Sequence, residues 1–314
     1  MFPGLEILAV PCLLALAAAG CCAAQTIPGG APTLPDFDKL WNFSDPAGTE
    51  ATFRRLLEQA PPSEAAYRLE LSTQIARCQG LQGRFDDAHA TLDAVDRQLA
   101  TGDLPVPRVR SLLERGRAFN SAGRANRALP LFREAFDLGT SRGLPRFAID
   151  AAHMVAIAEP RVEDRIAWNH KCLELIDRHP EHDRWRNAIY NNLGEAYRAA
   201  GRYPEALDCF QRLIAWQKSA GRSVDRYARV DEAKMLRLTG KPAESLDHMA
   251  ALQAEIGDEI DGFVAEERAE ALLALNRADE ARPLFRQAWS KLKEEAWLRD
   301  SEPARYERLK RLGE

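Results

Sequence analysis

No Cys-x-x-Cys pair occurs anywhere in the chain, and three of its six cysteines (Cys12, Cys21 and Cys22) fall in the segment before Gln25. The remaining three, Cys78, Cys172 and Cys209, are too few and too scattered to frame disulfides or a clustered metal set, and read as small buried residues in helix interfaces. Charge of one sign is missing too. With 43 Lys and Arg against 47 Asp and Glu, the formal charge is −4, which argues against a general nucleic-acid binder. There is no Gly-x-Ser-x-Gly elbow, His-Glu-x-x-His helix, phosphate-binding loop or dinucleotide fingerprint, so the common motif-bearing enzyme classes find no support. No cofactor is expected. What the sequence does have is length and apolar content: 314 residues, 46% hydrophobic, enough to bury a large core as one elongated stack or as two globular domains.

The segment 1–24 stands apart. Ile7 to Gly20 is an almost unbroken apolar run closed by Cys21-Cys22-Ala23-Ala24, which reads as a signal-peptide core with a small-residue cleavage region, too short to span a bilayer. The residues before it, Met-Phe-Pro-Gly-Leu-Glu6, carry no Lys or Arg. Export to a secreted, periplasmic or lipid-anchored location is expected, with a cytoplasmic protein as the alternative if the segment is not a signal. Ala18-Ala19-Gly20-Cys21 is similar to a bacterial lipobox, although Ala18 stands where Leu is usual, so a membrane partner enters only through lipidation at Cys21. Residues 25–44 contain Pro28, Gly29, Gly30, Pro32 and Pro35 and read as a linker. Asp45-Pro46 then opens a single capping helix with Phe53, Leu56 and Leu57 on its apolar stripe.

The best-formed pattern lies at 187–220. Counting Asn187 as position 1, bulky apolar residues fall at positions 4, 7, 11, 17, 24 and 27 and small ones at 8, 15 and 20, which is two helical stripes around a turn. Gly194 and Ala206 sit where two antiparallel helices must approach closely, Gly201 ends the first helix, and Pro204 starts the second. With the turn glycine as register mark the template recurs at Gly83, Gly123 and Gly240, and at Asn276. The steps from Gly83 to Gly123 and from Gly201 to Gly240 are nearly equal, and the step from Gly240 to Asn276 is slightly shorter. The interval between Gly123 and Gly201 is twice as long as one step and holds a degenerate sixth copy near 146–179, interrupted at Glu159-Pro160. Ala128-Leu-Pro130-Leu-Phe132 and Ala281-Arg-Pro283-Leu-Phe285 echo each other across the chain, each proline falling in about the first turn of its helix.

This pattern resembles the tetratricopeptide repeat. The resemblance implies an all-α, right-handed superhelical α-solenoid over 45–314, with about six helical hairpins between N- and C-terminal capping helices. The repeats are longer than the family's roughly 34 residues, and the turn-forming stretches 101–107, 140–145 and 179–183 point to extended inter-repeat turns. Ser301 with Pro303 reads as the start of a closing helix whose Arg305, Glu307, Arg308, Lys310 and Arg311 form a polar outer face, the preceding helix running to about Trp297.

The family is one of protein–protein binders, so a non-catalytic scaffold holding a peptide or partner segment is the leading expectation. Its groove-facing residues, at positions 2, 5, 6, 9 and 12 of the first helices, are Arg77, Arg117, Asn120, Asn191, Asn192, Glu195, Arg198 and Lys234, flanked by Gln74 and His153 on one side and by acidic Glu266 and Glu270 on the other. Asn can satisfy both N–H and C=O of an extended peptide, and Arg holds a carboxylate bidentately. Family members that clamp C-terminal carboxylates use Lys and Asn at set positions. Asn192 matches one of them, but Ala152 and Leu113 stand where Lys is wanted. Two alternatives remain: a metal-dependent hydrolase centred on His179 and His182, next to Asp183, and a structural scaffold binding through its convex face. Export predicts that protein from its native host begins near Cys21 to Gln25 rather than at Met1, which the mass of its N-terminal peptide checks.

Overall fold

The computed structural model describes residues 34–314, so the signal-peptide reading of 1–24, the lipidation of Cys21 and linker residues 25–33 lie outside the described residues. Every regular element among the described residues is helical. The chain forms two compact units, meeting within one helix at residues 154 and 155.

In the N-terminal unit α1 (Pro46–Gln59) precedes two hairpins, α2 (Ala65–Leu81) with α3 (Phe85–Leu99) and α4 (Pro105–Ser121) with α5 (Ala125–Ser141), followed by the start of α6 (Pro145–Ala158). In the C-terminal unit α7 (Val162–Arg178) is followed by the hairpins α8 (Arg186–Ala199) with α9 (Tyr203–Ser219), α10 (Arg226–Leu238) with α11 (Pro242–Ile256), and α12 (Gly262–Ala274) with α13 (Ala278–Leu292). Two short helices, α14 (Ala296–Ser301) and α15 (Pro303–Gly313), close it. The all-α architecture of consecutive hairpins expected from the repeats is what forms.

All five recognised hairpins turn in the same way. Gly83, Gly123, Gly201 and Gly240 adopt φ of 73°, 72°, 71° and 86°, and Asn276, the one non-glycine residue with positive φ among the described residues, adopts 61°. The residue after each (Arg84, Arg124, Arg202, Lys241, Arg277) donates its N–H to the carbonyl five residues back, at 2.8–2.9 Å. That bond ends the first helix and satisfies one of its orphaned carbonyls, and the left-handed residue it requires is cheap only for Gly or Asn.

Each hairpin is locked by a small residue opposite a bulky one. Gly116 faces Phe132, Gly194 faces Phe210, and Ala76, Ala233 and Ala269 occupy the same register opposite Leu92, Met249 and Phe285, all ten buried. A Cβ on Gly194 would lie 2.8 Å from Phe210 Cζ, and one on Gly116 would overlap the Phe132 ring more severely. The first-helix glycine is therefore what lets the ring sit between the helices. Each such ring contributes roughly 1.5–3 kcal/mol of transfer free energy. Cys78, Cys172 and Cys209 are buried and in no disulfide among the described residues, and burial pushes the thiols of Cys78 and Cys209 up to about 12.

Several boundaries differ from the sequence reading. The linker assigned to 25–44 is already structured at Phe37–Leu40, a 3-10 helix whose Phe37 is buried against α1 and α2. The extra repeat length goes into helices rather than turns. Helices α4, α5, α7 and α9 are each longer by about a turn than α8, and Pro105 and Pro145 begin helices instead of ending turns. A proline at a helix start has no N–H to lose. Pro130 and Pro283 lie beyond the first turn, each as the sixth residue of its helix, and both helices continue through them. The last hairpin ends at Leu292 rather than near Trp297, and Ser301 terminates α14 instead of capping α15.

Gly116→Val is expected to destabilise the protein by about 1–3 kcal/mol through collision with Phe132. Gly80→Ala, in a helix with nothing within 4 Å of the added methyl, is expected to stabilise it by about 0.5–1 kcal/mol. Urea midpoints at unchanged m value check both.

Candidate functional site

The first helices of each unit present one polar face. In the N-terminal unit that face is a network of ion pairs. Arg77 Nη1 lies 3.2 Å from the Glu114 carboxylate, Arg117 Nη1 2.7 Å from the same carboxylate, and Arg117 Nη2 2.5 Å from Asp150 Oδ1. Glu114 is 4% exposed and would be costly to bury without its two cations. For Asp150, burial works to raise the pKa, but the charge of Arg117 and its hydrogen bond hold it below the usual carboxylate range. His153 is driven down to about 4, first by burial, with Arg117 adding and Asp150 opposing, so its ring is neutral at physiological pH.

A second knot lies beside the first. Arg110 Nε donates to Glu70 at 3.0 Å and Arg110 Nη2 to Asp38 at 2.7 Å, while Arg146 Nη1 reaches Asp38 at 2.8 Å. Burial would raise the pKa of Asp38, but its hydrogen bonds to Arg110 and Arg146 and their charges lower it overall. Burial raises that of Glu70 despite Arg110, and the charge of Asp38 adds to the rise.

Of the groove residues expected here, Arg77 and Arg117 are thus committed to internal partners, and Gln74 accepts the Trp41 indole N–H at 3.1 Å. Asn120 is half-buried, and among the described residues its side chain makes no hydrogen bond. Sequence reasoning missed Glu70, Arg110 and Glu114. They occupy positions 2 and 6 of the same register that supplied the others, and pairing them across helices one repeat apart would have found them.

In the C-terminal unit the polar face is built on α8, α10 and α12. Glu195 pairs with Arg198 within α8, at 3.1 Å from Nε. Arg237 of α10 grips the buried Glu267 bidentately at 2.7 and 2.9 Å. Arg305 does the same to Glu266, at 2.7 Å for both bonds, and Arg308 binds Glu270. The acidic end expected from Glu266 and Glu270 is therefore neutralised, and Arg305 and Arg308, expected on a polar outer face, reach back to α12. Spaced i, i+3, they share the side of α15 turned to α12.

Between these pairs lie Asn191, Asp231 and Lys234, all half-buried and, among the described residues, with no side-chain hydrogen bond and no ion pair within 4 Å. The pKa of Asp231 is pushed up to about 7, chiefly by burial and then by the charge of Glu195, against Lys234, Arg198 and Arg305. Asn192 lies beside them on α8. This unit also has a cleft of about 580 Å³ lined by residues of α9, α10 and α11 and of the loop between α9 and α10. There Arg229 pairs with Glu255, and His248 Nδ1 lies 3.4 Å from the Glu232 carboxylate.

The His179 and His182 reading gains nothing. Residues Pro180–Trp185 form a 3-10 helix, both imidazoles approach the Glu181 carboxylate (3.5 and 3.8 Å), and Asp183 accepts from Arg186 Nε and Trp216 Nε1. Among the described residues no group of three or more His, Cys, Asp or Glu is placed to hold a metal ion.

Two family models, both described as tetratricopeptide repeat, match residues 81–141, which hold α3 and the α4/α5 hairpin, and 188–219, the α8/α9 hairpin. No curated protein matches the chain in sequence. Among solved structures, a signal-transduction ATPase with a tetratricopeptide-repeat sensor from Pyrococcus horikoshii aligns with a TM-score of 0.67 at 12% identity. The alignment covers 83% of this chain and 42% of that one, so this chain spans less than half of that protein. The apo quorum sensor NprR from B. thuringiensis aligns with a TM-score of 0.55 at 13% identity, covering 87% and 78%. NprR in complex with its cognate peptide NprX aligns with a TM-score of 0.50 at 15% identity, covering 87% and 81%. The two family-model matches, with the shared register and the common turn of the hairpins, make the chain a tetratricopeptide-repeat protein.

Proposed function

We propose that the chain is a non-catalytic interaction protein that holds an extended segment of a protein partner on the first-helix face of its C-terminal unit. The observation that carries this reading is the trio Asn191, Asp231 and Lys234, half-buried polar groups without direct partners among the described residues, on a face whose neighbouring Glu195, Glu266 and Glu267 are each paired with an arginine. Polar groups in such a setting are normally satisfied by something, and an extended peptide offers the complementary atoms. The Asn191 amide suits a main-chain N–H and C=O, and the Lys234 ammonium suits a carboxylate. Asn192, Glu195 and Arg198 form the adjacent edge of the same surface. The fold is compatible with this use, since NprR, which shares it, is seen with its cognate peptide. Arg77, Arg117 and Asn120 belong to the other unit and take no part in this site.

Selection of random peptides on the immobilised protein tests the reading. The enriched peptides are expected to carry a carboxylate, and Asn191→Ala with Lys234→Ala to weaken them at least ten-fold at unchanged melting temperature. Equal binding by that double variant overturns it.

Protonation of Asp231 gives the site a pH dependence. The raised pKa means that its contribution to stability is complete below the unfolded-state value and is lost as pH rises through about 7. Over the same interval the face gains negative charge. Selected acidic peptides are expected to bind more tightly at pH 6 than at pH 8, and Asp231→Asn to abolish the difference, as isothermal titration would register.

A further inference from the structure

The first-helix face of the N-terminal unit already carries an occupant, the chain's own residues 35–43. This segment runs in the same direction as α2. The Tyr67 hydroxyl donates to the Pro35 carbonyl at 3.0 Å, Phe37 packs edge-on to Tyr67 with centroids 5.3 Å apart, Trp41 binds Gln74, and Phe43 lies under Arg77. Among the described residues no main-chain hydrogen bond joins 36–41 to α2, α4 or α6, and the bonds within the 3-10 turn are its own. Its hold on α2, α4 and α6 is made by side chains apart from the Pro35 carbonyl, as in a bound peptide, while the main chain of Asn42 ties it to Thr49 of α1. Two adjacent residues are central. Phe37 enters an aromatic socket of Phe53 and Tyr67 beneath Arg110, and Asp38 closes the Arg110 and Arg146 guanidiniums. Leu40 remains 43% exposed, and Lys39 is exposed.

Such a mode of attachment is exchangeable. Without Asp38, Arg146 has no other carboxylate within 4 Å among the described residues, and Arg110 keeps only Glu70. We propose that this face is a second peptide-binding site, specific for an aromatic residue followed directly by a carboxylate, and that residues 35–41 hold it in cis until a partner segment with the same pair displaces them. The charge complementarity argues for a protein segment of this chemistry over an apolar or basic one, since the socket is walled by rings and its rim by two arginines.

A fluorescein-labelled synthetic peptide of residues 34–44 serves as the probe against the full-length protein. It is expected to bind the Phe37→Ala/Asp38→Ala variant at least ten-fold more tightly than the wild type, whose face is filled. Replacing the Phe and Asp of the probe by Ala, or adding Arg146→Ala to the variant, is expected to abolish the gain. Binding no tighter than to the wild type by a variant with native circular dichroism, or equal binding of the Ala-substituted probe, overturns the proposal. Should the double variant not fold, Asp38→Asn, which preserves the shape and the ring, decides by the same comparison with a three-fold gain as its threshold.

Discussion

The contact on which the molecule depends is a bulky side chain laid against a position with little or no side chain. Gly116 with Phe132 and Gly194 with Phe210 bring two helix axes close enough for the ring to be enclosed on all sides. Everything else in a hairpin follows from that approach. The left-handed turn residue aims the second helix back along the first, and Ala128, Ala206 and Ala281 on the second helix keep the surfaces complementary. Because the same constraint recurs in successive hairpins, each first helix is presented alike and their polar positions line up across a face.

Those faces are then used differently in the two units. The N-terminal one is filled with matched charges, with Glu114 between Arg77 and Arg117, and Arg110 between Glu70 and Asp38. Such pairs add little net stability once the cost of dehydrating them is counted, but removing one partner leaves the other stranded. They act as register keys between neighbouring repeats. The C-terminal face has the same kind of keys at its far end, where Arg305 and Arg308 answer Glu266 and Glu270. Among the described residues it leaves Asn191, Asp231 and Lys234 without a hydrogen-bonded or ion-paired side-chain partner.

The hairpins are legible in the sequence because their determinants are local. A glycine at the turn and small residues a fixed number of positions away are visible without knowing where the chain goes next. The ionic keys are hidden for the opposite reason. Asp38 and Arg146 are far apart in the chain, and nothing near either one announces the other. The proline- and glycine-rich stretch before Asp45 also masks Phe37, whose burial depends on an aromatic socket built by α1 and α2. Reading groove positions one helix at a time picks out Arg77 and Arg117 as if they faced solvent, while Glu114, four positions after Arg110 and three before Arg117, already holds both. The final helix misleads similarly, its arginines counting as surface charge until their reach to α12 is known.

The reach of Asp38 has a consequence for how the protein is made. During synthesis the aspartate leaves the ribosome long before Arg146 is translated, and Arg110 emerges between them, so the knot has to be tied in stages. Until the first residues of α6 clear the exit tunnel, Asp38 can pair with Arg110 but not with Arg146, and the knot stays half-tied.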